Sequence, residues 1–214
     1  MESVIEISED SISTLVIENK NYFCSLLTDI YSQINGSAGK AILSENDKIL
    51  ELSKYAELID GLIGFDINKK SLINKINSAV EKTALSDIYY QRSNEVLSIV
   101  EAFIDDLCSE LPCNIEASKI NIPSIIKMAG ICINEDYNGI PEKLIDYMEL
   151  VREYDRDKLF IFVNMRSFFD DITMSAFFTT VIDHEFKILL IDAHSENKLE
   201  RENRLTIDED LCEF

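Results

Sequence analysis

Residues 157–171 read "DKLFIFVNMRSFFDD", a run of apolar, strand-favouring residues from Leu159 to Val163 that stops at Asn164. An apolar run without alternation is expected of a strand covered on both faces, as in a parallel sheet. Residues 186–193, "FKILLIDA", repeat the type downstream. Between the two runs the pattern predicts a helix, with Ser167 as its cap, Asp170 and Asp171 in a first turn where the dipole favours negative charge, and Phe169, Ile172 and Ala176 facing inward. Strand, helix and strand at this spacing predict a βαβ unit with a parallel pair, which makes the chain α/β.

Working outward, "SVIEIS" and "STLVIEN" near the N-terminus predict two strands joined by a turn, the second more apolar and more central. Phe23, Leu26, Leu27 and Ile30 then recur at helical spacing until Asn35-Gly36 signals a stop. "KAILS" and "KILELS" flank "ENDK", a hairpin loop. After "IDGLIGFDIN" the period changes: Leu72, Ile76 and Val80, then Val96, Val100, Phe103 and Leu107, mark two amphipathic helices. Pro112 and Pro123 bracket an irregular stretch, and Pro123 opens a short helix ending at Gly130. Pro141 opens another, with Leu144, Met148 and Val151 on one face. "NRLTID" adds an edge strand. The expected architecture is an α/β head with a mixed, partly parallel sheet assembled from both ends of the chain (residues 1–65 and 156–214), and an inserted helical leg (residues 66–155).

The composition of the 214 residues, 46% hydrophobic and 28% charged, is that of a folded chain. No apolar run approaches a membrane span and "MESVIEISED" is unlike a signal peptide, so a cytoplasmic location away from membranes is expected. Five cysteines without a CxxC pair, and two histidines distant from them, argue for reduced thiols rather than a zinc site. With 40 acidic and 20 basic side chains the net charge is −20, which repels nucleic acid at long range. Screening over roughly 8 Å at physiological salt lets a small basic surface act independently of that charge.

Strand ends are where ligands bind in open α/β sheets. After "TLVIE" a phosphate-binding protein would carry a glycine-rich loop; here Glu18, Asn19, Lys20 and Asn21 follow instead. Asn164 stands where many ATPases hold a magnesium-binding aspartate. Asp192 and His194 read either as a general base or as ordinary polar residues at a strand's end, with no nucleophile motif beside them. "NEDYNG" imitates a calcium loop, but the twelfth position is Ile145 rather than a glutamate, which favours a turn ahead of a helix. Lys119, Lys127, Lys143 and Arg152 are the basic residues in or beside the stretch from Pro112 to Tyr154. Lys143 and Arg152, nine residues apart on one helix, fall on nearly opposite faces.

The ordered set "TLVIEN", "LIDGLIGFDIN", "REYDRDKLFIFVNMRSFF" and "FKILLID" resembles the Csn-type ring protein of type II-A CRISPR systems, in its short form, from about Ser13 to Glu209. The resemblance implies a non-enzymatic protein of antiviral defence that takes part in spacer acquisition. It further implies a homotetrameric ring that binds double-stranded DNA, preferably ends, in its hole, beside the integrase pair and the RNA-guided nuclease of the same locus. Lys127 and Arg152 fall where the family has basic residues on the leg, and with Lys119 and Lys143 form the expected nucleic-acid-binding set. Calcium is the implied cofactor, with Glu110 and Glu116 as metal ligands. Asn114, Ser118 and Lys119 stand where further strong oxygen ligands would be expected, and Lys119 can supply in covalent form the positive charge a metal gives relatives. Two rival readings are a degenerate nucleotide-handling α/β protein and an acidic adaptor that binds other proteins.

Overall fold

The computed structural model describes residues 4–113 and 115–214. The chain up to Phe65 together with Asp136–Phe214 forms one compact unit, and Asp66–Glu135 forms a second.

The first unit is built on a five-stranded sheet in the order β4 (Ala56–Ile59), β5 (Leu159–Val163), β6 (Lys187–Asp192), β1 (Ile12–Ile17), β7 (Glu202–Ile207). All four pairings are parallel, with Ile161 opposite Leu189 and Thr14 opposite both Leu190 and Arg204. Both ends of the chain supply strands, as the apolar runs predict. On one face Leu15, Ile17, Leu159, Ile161, Leu189, Ile191 and Ile207 pack with Ile30 of α1 (Lys20–Ile34) and Leu52 of the one-turn α2 (Leu52–Tyr55). On the other, Phe162 meets Phe177 of α7 (Asp171–Asp183) edge to face at 5.9 Å, and Phe160 meets Phe186 at 6.2 Å. Rings and branched chains on both sides explain why β5 and β6 lack alternation. The hairpin β2 (Leu43–Glu45) and β3 (Lys48–Leu50) turns through Asn46 and Asp47, whose φ of 50° and 62° suit a two-residue primed turn.

Three local expectations are corrected. The described part of "SVIEIS" forms no strand: Ile5 and Ile7 pack on the core and Glu6 carbonyl oxygen accepts from Ser13 Oγ at 2.7 Å. The reason is topological, since β6 and β7 already occupy both edges of β1. The helix after β5 begins later than Ser167. Met165–Ser167 make a single 3-10 turn, Asp170 is the cap, accepting from Thr173 N at 2.8 Å, and Ile172 is 82% exposed while Met174, Phe177, Phe178 and Val181 are buried. Finally, β4 is a strand that "KYAELIDG" conceals. Glu57 interrupts the apolar run, and its carboxylate accepts from the Tyr147 hydroxyl of α6 (Ile140–Tyr154).

Helix α6 belongs to the first unit rather than the helical one: Leu144, Tyr147, Met148 and Val151 are buried, and Tyr147 meets Phe65 edge to face at 5.0 Å. The second unit comprises α3 (Lys70–Ala84), α4 (Tyr90–Ser109) and α5 (Ile122–Ala129). Leu72, Ile122 and Ile126 are buried where α3 packs on α5. Asn68 closes this unit, its Oδ1 accepting from Ile133 N at 2.7 Å and its Nδ2 donating to Ile133 O at 3.1 Å. That clamp explains "GFDIN": Gly64 has φ 72°, Phe65 and Ile67 are buried, and Asn68 ties two distant points of the chain.

Candidate nucleic-acid interface

Charge is divided unevenly between the units. Residues 66–135 carry ten acidic and seven basic side chains, a net −3, which leaves −17 of the total −20 on the first unit. A polyanion meets least opposition on the second unit.

There Asn121 caps α5 by accepting from Ser124 N at 2.9 Å, Pro123 suits the first turn, and Gly130 ends the helix at φ 63°. This fixes Lys127 in the last turn, exposed, where its charge also complements the helix dipole. Lys119 lies exposed in the irregular segment before α5. Lys70, Lys82 and Arg92 are also exposed on this unit. Single lysines among acids give no spacing signal, so sequence reading passes over these three.

The other two expected contacts lie on the first unit. Lys143 is half-buried on α6. Arg152, also on α6, places its guanidinium 4.5 Å over the Phe186 ring and donates to His184 O. A phosphate would have to compete with both. His184 in turn holds Glu149 through Nδ1 at 2.7 Å.

Helix α4 buries none of its residues; Val96, Ile99, Phe103 and Leu107 are 39%, 69%, 60% and 51% exposed. Their spacing puts an apolar stripe along one side of a helix of 20 residues. Contiguous exposed apolar surface of this kind marks a contact with another molecule.

Glu110 caps the C-terminus of α4 and Glu116 lies in the irregular segment beyond, both exposed; Asn114 between them is outside the described residues. Among the described residues no three His, Cys, Asp or Glu side chains stand together as a metal site. Two carboxylates fall short of the six to eight oxygens calcium takes, so this pair does not by itself fit calcium.

At the carboxyl edge of the sheet, Asn164 adopts φ 50°, donates its N–H to Ile191 O and accepts from Ala193 N at 2.9 Å through Oδ1. It delivers no reactive group; it turns the chain so that Arg166 enters the interior. Arg166 donates to Glu202 Oε2 at 2.9 Å and to Asn197 O at 2.6 Å, and Arg204 donates through Nε to Glu202 Oε1 at 2.9 Å. Sequence reading misses this network, although Glu202 and Arg204 at strand spacing put opposite charges on one face. Asp192 is buried with neither oxygen in a well-formed hydrogen bond, and burial pushes its pKa up to about 6 against the lowering effects of the Arg166 charge and of the nearby Arg166 backbone N–H. His194 is exposed. The N-terminus of α1, where a phosphate would sit in a nucleotide-binding sheet, is closed by Asn19: Oδ1 accepts from Tyr22 N at 3.0 Å and Nδ2 donates to Glu209 O at 2.8 Å. No helix among the described residues is long and apolar enough to cross a membrane.

Two comparisons with known proteins bear on the family of the chain. The family model described as CRISPR-associated protein (Cas_Csn2) matches residues 33–211. The CRISPR-associated protein Csn2 of Streptococcus agalactiae is 25% identical over 157 residues, which are 70% of this chain and 67% of that protein. A match across strands β2 to β7 and both units shows that the chain belongs to the CRISPR-associated Cas_Csn2 family.

Proposed function

We propose that the protein is a non-enzymatic subunit of a homotetrameric ring that binds double-stranded DNA, with a preference for ends, and acts in spacer acquisition in the cytoplasm alongside the integrase pair and RNA-guided nuclease of its CRISPR locus. The observation that carries this reading is the second unit. It combines the near-balanced charge, the exposed Lys119 and Lys127, and an α4 stripe that calls for a partner. An acidic protomer gains a grip on DNA when several copies gather weak cationic surfaces around one hole, where low-dielectric walls focus their field. Fully burying one Ile, Leu or Phe side chain is worth about 1.5–3 kcal/mol, so a second copy laid on the α4 stripe supplies the association energy.

Mobility shifts with linear and circular duplex of equal length test the proposal. A preference for linear DNA supports the clamp. Absence of any shift favours the acidic adaptor, to which the −17 concentrated on the first unit lends weight. The nucleotide-handling alternative is weakened by Asn19, which satisfies the amide a phosphate would need. A thermal shift on adding nucleotide would revive it.

A further inference from the structure

The carboxyl edge of the first unit holds a group that none of the preceding function uses. Asp192 ends β6, 3% exposed, beside Val16 of β1 in register. Neither of its oxygens makes a well-formed hydrogen bond, the Arg166 backbone N–H being the donor that acts on it, and Arg166 Nε is likewise buried without a partner. The charges that act on Asp192 are Arg166, after β5, and Glu202 and Arg204 of β7. β1 offers no ionisable side chain between Ile12 and Ile17, and the buried residues of α7 are apolar. Glu202 already takes Arg166 Nη2 and two donors of Arg204, so the charge of both arginines is shared with a second carboxylate and offsets the burial of Asp192 only in part.

A carboxylate stripped of water, with only the Arg166 backbone N–H and the Arg166 and Arg204 charges to offset its burial, is costly to keep ionised, whereas the neutral acid costs far less. We infer that Asp192 is a proton-linked residue: it is carried as the neutral acid in mildly acidic medium, and its ionisation towards neutral pH weakens the first unit. The sign follows from linkage. A carboxyl whose folded pKa lies near 6, above the ordinary 3.8, binds its proton more tightly in the folded state. Its contribution to stability therefore declines as pH rises from about 4 to about 6 and levels off above that. This is opposite to the usual behaviour of a paired carboxylate.

The test is thermal unfolding of the intact chain and of Asp192→Asn at one protein concentration from pH 4.5 to 8. Other carboxylates titrate in both proteins and cancel in the difference. The midpoint gained by Asp192→Asn is expected to be smallest at pH 4.5, to grow up to about pH 6 and to be constant above pH 7. A difference independent of pH, or a variant less stable than the parent above pH 7, overturns the inference. Should Asp192→Asn fail to fold, carboxyl-carbon NMR of aspartate-labelled parent protein decides. A buried carboxyl titrating near 6 supports the assignment, and no aspartate titrating above about 5 refutes it.

Discussion

Asn164 stops β5 by adopting a left-handed conformation that asparagine tolerates and β-branched residues do not. Its side chain also serves Ala193 N. Asn164→Gly keeps the turn and loses the acceptor, an expected cost of about 1 kcal/mol in urea unfolding, while Asn164→Val should cost more because it adds backbone strain. Glu202 is a second single point of dependence: its side chain is fully buried and holds both Arg166 and Arg204. Glu202→Ala leaves two arginines without their anion, and an expected loss of about 3–5 kcal/mol should appear in the same measurement. Neither role is legible in the sequence. Asn164 reads as a strand's end, but its partner lies 29 positions away, and the destination of Arg166 depends on how β7 is threaded into the sheet.

At the scale of elements, local chemistry is readable wherever it is self-contained. Pro123 and Gly130 bound α5, Pro141 opens α6, and Asn46-Asp47 makes the hairpin turn. Reading fails where competition between neighbours decides the outcome. The N-terminal run alternates like a strand yet finds both edges of β1 taken, and α7 begins at the cap Asp170, after a 3-10 turn the pattern does not register. The periodicity of α4 is legible, but amphipathic spacing is the same whether a helix faces its own core or another molecule. Its exposure gives a sharp expectation: Ile99→Asp with Phe103→Asp should leave secondary structure and unfolding midpoint nearly unchanged while driving the assembly to smaller species in sedimentation velocity. A collapse of the fold instead would show that α4 packs within its own protomer.

At the scale of the molecule, the −20 charge hides a division that only the fold reveals, −17 on the sheet unit and −3 on the helical unit. Four basic residues make up the DNA-binding set expected from the sequence. Lys119 and Lys127 are exposed on the helical unit, whereas Arg152 is engaged with Phe186 and His184 on the other. Lys127→Ala should weaken duplex binding irrespective of sequence and flatten the dependence of log K on log salt by about 0.9 for each phosphate no longer neutralised. Arg152→Ala should act chiefly through stability, seen as a lowered unfolding midpoint. Calcium titration separates the two readings of Glu110 and Glu116: weak or absent uptake is expected of a pair with no third carboxylate grouped with it among the described residues, and tight uptake abolished by Glu116→Ala would show ligands brought in by assembly.

The most direct measurement is sedimentation of the protein with a short fluorescent linear duplex, followed from low to moderate salt. DNA is expected to travel only with multi-copy assemblies, and assembly and capture are expected to be lost together in the α4 double variant. A monomer that captures linear duplex at full strength would contradict that expectation.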